Sequence, residues 1–221
     1  MQQQAQTQEL KSLAFSIAHE VKNPLSAIKT CCQMISDNMK ENIELLDLIF
    51  SVSNRGLLMT DIILQNIRDG QINKDNFINL SMSHTINKAI KEYSFDSAEE
   101  NFLITLNLDN DFTFKGDENL MIFVLFNLLK NSLYHKAKIN VSLARDHSFN
   151  YLHFKDTGIG IEKNKLELIF ESFMTSNKKN GTGLGLSFCK RVMIAFNGKI
   201  NCNSELGKYT EFVLSFPKIK N

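Results

Sequence analysis

The chain has 221 residues, 43% hydrophobic and 22% charged, with a formal net charge of +1. That length suits one or two domains with a real core, and so even a charge balance gives no sign of a nucleic-acid or anionic-membrane partner. No apolar run reaches the roughly 18 residues of a membrane span, no secretory signal opens the chain, and Cys31, Cys32, Cys189 and Cys202 follow neither metal-site nor disulfide spacing, as a reducing, cytosolic setting would have it.

The Gln-rich first ten residues lead into an apolar pattern at helical spacing: Leu10, Ala14, Ile17, Val21, Ile28, Ile35. Steps of three and four make a heptad seam that needs a partner helix. With Ala14 and Val21 at a, His19 falls at f beside Ser12, Ser26 and Gln33, on the side away from the seam. The c positions are Glu9, Ser16, Asn23 and Thr30, so His19 stands on a polar stripe with Asn23 one turn further on. Pro24 cannot donate to the Glu20 carbonyl and clashes with it, so a kink is expected just past the histidine. The first helix is expected to end near Asp37-Asn38. A second spans about Ile43 to Ile67, with an apolar face too wide for a two-stranded seam. Two such hairpins from two chains would form a four-helix bundle, so a homodimer is expected. The run from Asp69 to Asp75 breaks the pattern and divides the chain into 1–72 and 73–221.

Beyond that boundary the patterning is α+β. A strand at Phe77–Met82 precedes a helix capped by Ser83 and running to about Tyr93. Strands are expected at Phe102–Leu108 and Phe112–Lys115, then a long helix from Glu118 to Tyr134. Strands at Lys138–Ala144 and Tyr151–Lys155 are followed by helices over Asn164–Phe170 and Leu184–Phe196. A hairpin, Lys199–Ser204 and Thr210–Phe216, closes the chain. Strands and helices come in clusters, so a mixed sheet with helices on one face is expected.

Three clusters in this half bear chemistry. Asn127 and Asn131 are i,i+4 on an otherwise apolar helix, and their amide oxygens are hard donors suited to Mg²⁺; taken alone, such pairs are more often solvated or capping amides. Asp156-Thr157-Gly158-Ile159-Gly160-Ile161 follows a strand. There a carboxylate could accept from an exocyclic amine while glycines let backbone approach a flat ligand, or the run could be an ordinary turn. Asn180-Gly181-Thr182-Gly183-Leu184-Gly185-Leu186 opens a helix, where freed amides and the helix dipole favour phosphate, and Lys178 and Lys179 precede it in a lid-like polar run. Its spacing is neither a Walker loop nor a dinucleotide fingerprint.

Taken together, these segments resemble the sensor histidine kinases. His19-Glu20-x-x-Asn23-Pro24-Leu25 is similar to that family's phospho-acceptor box. Asn127…Asn131, Asp156–Ile161, Phe170…Phe173 and Gly181–Leu186 resemble its N, G1, F and G2 boxes in the same order, over essentially the whole chain. The run around Asn131 and the segment from Gly185 to Met193 resemble hybrid quorum-sensing members. The resemblance implies a dimerisation and phosphotransfer hairpin followed by a Bergerat-fold ATP-binding domain, an α/β sandwich.

It further implies a two-component kinase that autophosphorylates His19 from ATP and passes the phosphoryl group to an aspartate of a response-regulator receiver. Asn131 would be the principal Mg²⁺ ligand with Asn127 in support, Asp156 would hold the adenine amino group, and Thr210 would assist through water. The implied ATP site also takes in Tyr134, Gly158, Gly160, Ile161, Phe170, Lys178, Lys179, Gly181, Thr182, Gly183, Leu184, Gly185 and Leu186. One departure is visible: the family commonly places Ala and then a cation after the second asparagine, whereas this chain has Ser132, Tyr134 and His135. Glu20 is placed to accept the imidazole proton, and Asn23 to position water for a reverse phosphatase reaction. The alternatives are a degenerate kinase acting as phosphatase or scaffold, and a Bergerat-fold ATPase. A cytoplasmic core is expected, which an upstream sensor could tether to the inner membrane.

Overall fold

The computed structural model describes residues 25, 26, 28, 30, 49, 53, 56, 72–93, 95, 97–171, 174, 183 and 185–219. The chain divides into two compact units, Met1–Gln71 and Ile72–Asn221. In the first, Leu25, Ser26, Ile28, Thr30, Ile49, Ser53 and Gly56 are helical, and the remaining positions of the two expected helices lie outside the described residues. Ser26 and Thr30, which the heptad assigns to its polar side, are both exposed, and Thr30 Oγ1 donates to the Ser26 carbonyl one turn back at 3.0 Å. No helix among the described residues is long and apolar enough to cross a membrane.

The second unit is an α+β domain. In chain order it runs β1 (Ile78–Ser81), α1 (Met82–Glu92), α2 (Ala98–Asn101), β2 (Ile104–Asn107), β3 (Thr113–Gly116), α3 (Glu118–Leu133), β4 (Ile139–Arg145), β5 (Phe149–Asp156), a 3-10 turn (Lys163–Lys165), α4 (Gly185–Ala195), β6 (Lys199–Glu205) and β7 (Tyr209–Pro217). β1 and β3 form an antiparallel pair, with Ser81 opposite Thr113. The main sheet has the order β2-β4-β5-β7-β6; β2 and β4 are parallel and every other neighbour is antiparallel, so the sheet is mixed.

Period-two patterning gives the sheet one covered face. Along β5, Asn150, Leu152, Phe154 and Asp156 are buried, and along β7 so are Thr210, Phe212, Leu214 and Phe216. α3 is buried on nearly every side, as a helix set between other elements must be. Its Phe123 meets Phe188 of α4 edge-on at 5.0 Å, and its Phe126 meets Tyr93 at 5.3 Å. Phenylalanines also join the small β1–β3 pair to the rest of the domain, with Phe114 5.3 Å from Phe216 on β7 and 5.7 Å from Phe196 just after α4. Full burial of each such ring contributes about 1.5–3 kcal/mol. The Asp117 carboxylate caps α3 by accepting from the Leu120 amide at 3.0 Å, a contact worth about 1 kcal/mol.

Some local expectations need correction. The cap of α1 is Ser81, not Ser83: Ser81 Oγ accepts from the His84 amide at 3.1 Å, while the Ser83 amide donates to Asp111 Oδ1 at 2.8 Å. The helix expected over Asn164–Phe170 is a 3-10 turn followed by irregular turns. Asn164, Lys165, Glu167 and Leu168 are exposed and Leu166, Ile169 and Phe170 only half-buried, so little apolar burial offsets the cost of nucleating a helix that short. A one-turn helix at Ala98–Asn101 and a turn over Phe102 and Leu103 come before β2, which begins at Ile104 rather than at Phe102. β5 is longer than expected because Asp146 closes the preceding turn. Its Oδ1 accepts from the Ser148 and Phe149 amides at 2.7 Å, and its Oδ2 from the Tyr151 hydroxyl at 2.5 Å.

Candidate functional site

Asp156 ends β5 in the middle of the sheet, opposite Ile139 on β4 and Thr210 on β7. It is 6% exposed, yet both carboxylate oxygens have donors. Ser132 Oγ, in the last turn of α3, donates to Oδ2 at 2.7 Å, and the Gly158 amide donates to Oδ1 at 2.9 Å. A buried carboxylate needs such partners, and a hydrogen bond to a charged group contributes about 1.5–3 kcal/mol. Gly158 suits this turn, since a Cβ there would stand 2.8 Å from Asp156 Oδ1. The Cys202 thiol on β6 is pushed up to about 12, first by burial and then by the negative charges of Asp156 and Glu211.

The loop after Asp156 is clamped to the β6–β7 hairpin. Ile159 accepts from the Gly207 amide at 2.7 Å, and the Ile161 amide donates to Ser204 Oγ at 2.8 Å. Ser204 Oγ gives its one proton to the Tyr209 carbonyl at 2.6 Å, so in its 3.3 Å contact with Thr210 Oγ1 the threonine is the donor. Thr210 is buried, Ile161 is half-buried, and Phe170 meets Phe212 edge-on at 6.4 Å. Gly160 has φ +68°, in the region that favours glycine.

On α3, Asn127 and Asn131 are both half-buried, on a helix whose other central residues are mostly buried. Asn127 Nδ2 donates back to the Phe123 carbonyl at 2.9 Å. Its Oδ1 lies against the first residue of α4, where a Cβ on Gly185 would come within 2.3 Å of it. The start of α4 therefore approaches the asparagine face at backbone distance. Gly183, with φ +67°, and half-buried Leu186 flank that approach. Tyr134 is 62% exposed and meets the His135 ring edge-on at 4.9 Å.

The structure thus brings Asp156, Gly158, Ile161 and Thr210 together through hydrogen bonds and strand pairing, sets Gly160 against the Glu205 backbone, and places Asn127 against Gly185. Ser132 entered the sequence reading only as a departure from a motif; its bond to Asp156 crosses 24 positions, and no local pattern announces it. His19, Glu20, Asn23, Lys178, Lys179, Gly181, Thr182 and Leu184 lie outside the described residues. Among the described residues no three His, Cys, Asp or Glu side chains gather as a metal cluster. Amide oxygens such as those of Asn127 and Asn131 are a different donor type.

Residues 116–220 match the family described as histidine kinase-, DNA gyrase B-, and HSP90-like ATPase. The chain is similar to the CAI-1 autoinducer sensor kinase/phosphatase CqsS of Vibrio cholerae serotype O1, 33% identical over 229 residues that cover 94% of this chain and 33% of that protein. It is also similar to the autoinducer 1 sensor kinase/phosphatase LuxN of Vibrio campbellii, 33% identical over 222 residues, covering 96% of this chain and 26% of that one. The chain spans about a third or less of the length of these relatives. The Acinetobacter baumannii histidine kinase AdeS shares the fold, with a TM-score of 0.56 at 18% identity over 91% of this chain and 98% of that one.

Proposed function

We propose that this chain, which carries a histidine-kinase catalytic core of the Bergerat fold related to the sensor and quorum-sensing kinases, moves the γ-phosphoryl group of ATP onto His19 and then onto an aspartate of a receiver domain. The observation that supports this most is the Asp156 carboxylate, buried and oriented by Ser132 and Gly158, beside a glycine loop clamped to the Thr210 hairpin. An acceptor so placed suits the exocyclic amine of adenine. Phosphates would lie toward Asn127, Asn131 and the start of α4, where Gly185 permits close backbone approach.

Magnesium fits the donor set, since Asn131 and Asn127 carry neutral hard oxygens on one helix face, and they would hold the ion there. When bound, it would supply the charge neutralisation that phosphoryl transfer chiefly needs. The lid residues Lys178, Lys179, Gly181 and Thr182 would contribute cations and backbone amides. In the transfer, one neutral nitrogen of His19 attacks the γ-phosphorus and the bond to the β–γ bridging oxygen breaks, releasing ADP. Glu20 holds the proton on the other ring nitrogen and balances the imidazolium charge.

The first unit would pair with that of a second copy as a four-helix bundle, presenting His19 on its polar stripe. Reversal by phosphatase action, with Asn23 positioning water, is supported by the names of CqsS and LuxN, both sensor kinase/phosphatases. Incubation with γ-labelled ATP and Mg²⁺ tests the proposal. Acid-labile, base-stable label on the wild type and none on His19→Ala is expected; release of free phosphate without labelled protein overturns it in favour of an ATPase.

A further inference from the structure

We propose that Ser132 is a positioning residue that fixes the Asp156 carboxylate for the 6-amino group of a purine, so that its hydroxyl governs recognition of the base rather than phosphoryl transfer. The inference rests on the reading of this unit as an ATP site.

Ser132 is 2% exposed, and its Oγ lies 2.7 Å from Asp156 Oδ2. The terminal torsion of an aspartate is broad, so a carboxylate held at one oxygen only can swing about that contact. Here the Gly158 amide holds Oδ1 at 2.9 Å while Ser132 holds Oδ2, and the carboxylate plane is fixed from both sides. Each oxygen keeps acceptor capacity beyond its one donor. An exocyclic amine finds that acceptor already aimed. A base with a 6-oxo group instead brings a second acceptor to a buried carboxylate, and both stay unpaired. The one hydroxyl proton of Ser132 is committed to Asp156, so the serine cannot donate to the base and instead orients its neighbour.

A merely structural serine would weaken every nucleotide alike, and the test separates the two roles. The full chain and Ser132→Ala are titrated calorimetrically, with Mg²⁺, against ATP and against purine riboside triphosphate, which lacks the 6-amino group. The wild type is expected to prefer ATP. In Ser132→Ala the Kd for ATP is expected to rise about tenfold, the scale of a lost hydrogen bond to a charged group, while that for the amine-free analogue changes less than twofold. In the labelling assay the loss falls on KM for ATP rather than on kcat. Should thermal melting show that Ser132→Ala is poorly folded, Ser132→Cys, close in size but a weak donor, must close the same gap between ligands. An equal loss for both ligands, or an unchanged Kd for ATP, overturns the inference alone. A wild type that binds neither nucleotide overturns the ATP reading and the inference with it.

Discussion

Gly160 lies so close to Glu205 that a side-chain carbon on the glycine would stand 2.2 Å from the Glu205 carbonyl oxygen. The contact is backbone against backbone, at a residue with φ +68°, so neither rotation nor a flexible neighbour can relieve an added methyl. Gly160→Ala should therefore cost about 1–3 kcal/mol of stability and loosen the clamp on the loop after Asp156. Thermal melting is expected to fall, and ATP affinity with it. A variant with wild-type melting and affinity would contradict the rigid packing described for this loop.

Gly185 makes the opposite prediction. The atom that a Cβ there would meet is Asn127 Oδ1, the end of a side chain that can rotate, at a helix start where alanine is well tolerated. Gly185→Ala should keep its melting temperature within a few degrees while displacing the Asn127 amide from its 2.9 Å bond to the Phe123 carbonyl. Autophosphorylation is expected to fall at least about tenfold, the usual scale for misplacing a group that positions reactants. Full activity with an unchanged melt would remove Asn127 from the site.

Cys202 gives a pH dependence with a definite sign. Its folded-state pKa is raised to about 12, so folding favours the neutral thiol. That contribution is whole below the unfolded value of about 8.5 and is lost as pH rises toward 12. Between those limits the wild type should lose stability more steeply than Cys202→Ala, as read by denaturant melts across pH. Alkylation followed by mass spectrometry offers a second reading. Cys202 should react slowly at pH 8, and Asp156→Asn, which removes one of the charges holding the thiol protonated, should quicken it.

Asn23 separates the two directions of the proposed chemistry. Asn23→Ala should still take label from ATP on His19, because attack on the γ-phosphorus does not need its amide. Dephosphorylation of an acylphosphate on a receiver domain should slow by about tenfold or more, the range for losing a group that orients water. Wild-type dephosphorylation with autophosphorylation retained would exclude Asn23 from that role.

Much of the fold was legible because its signals are local. Strands were expected at Lys138–Ala144 and Thr210–Phe216, close to β4 and β7, and the helix expected from Glu118 to Tyr134 is α3, Glu118–Leu133. Where reading failed, a distant partner had decided the matter. Ser81 rather than Ser83 caps α1 because Asp111, 28 positions away, takes the Ser83 amide. Residues 162–168 are exposed apart from half-buried Leu166, so little burial rewards a helix there, which periodicity alone cannot reveal. In the site, glycine spacing located the loop, but not that Gly160 rests on Glu205 or Gly185 on Asn127. Nor could the chain show in advance that Ser132 completes the environment of Asp156, since the two meet only when α3 is laid on the sheet.

Ser81 belongs at once to a ladder and to a helix: it pairs with Thr113 and caps α1, with no spacer between strand and helix. The phase of α1 is thereby geared to the strand register. Deleting one residue at this joint would turn the helix by about 100°, carrying the fully buried Met82, Ile86 and Ala89 out toward solvent. Length variation should therefore be barred at this junction, and a chain shortened there by one residue should fail to fold.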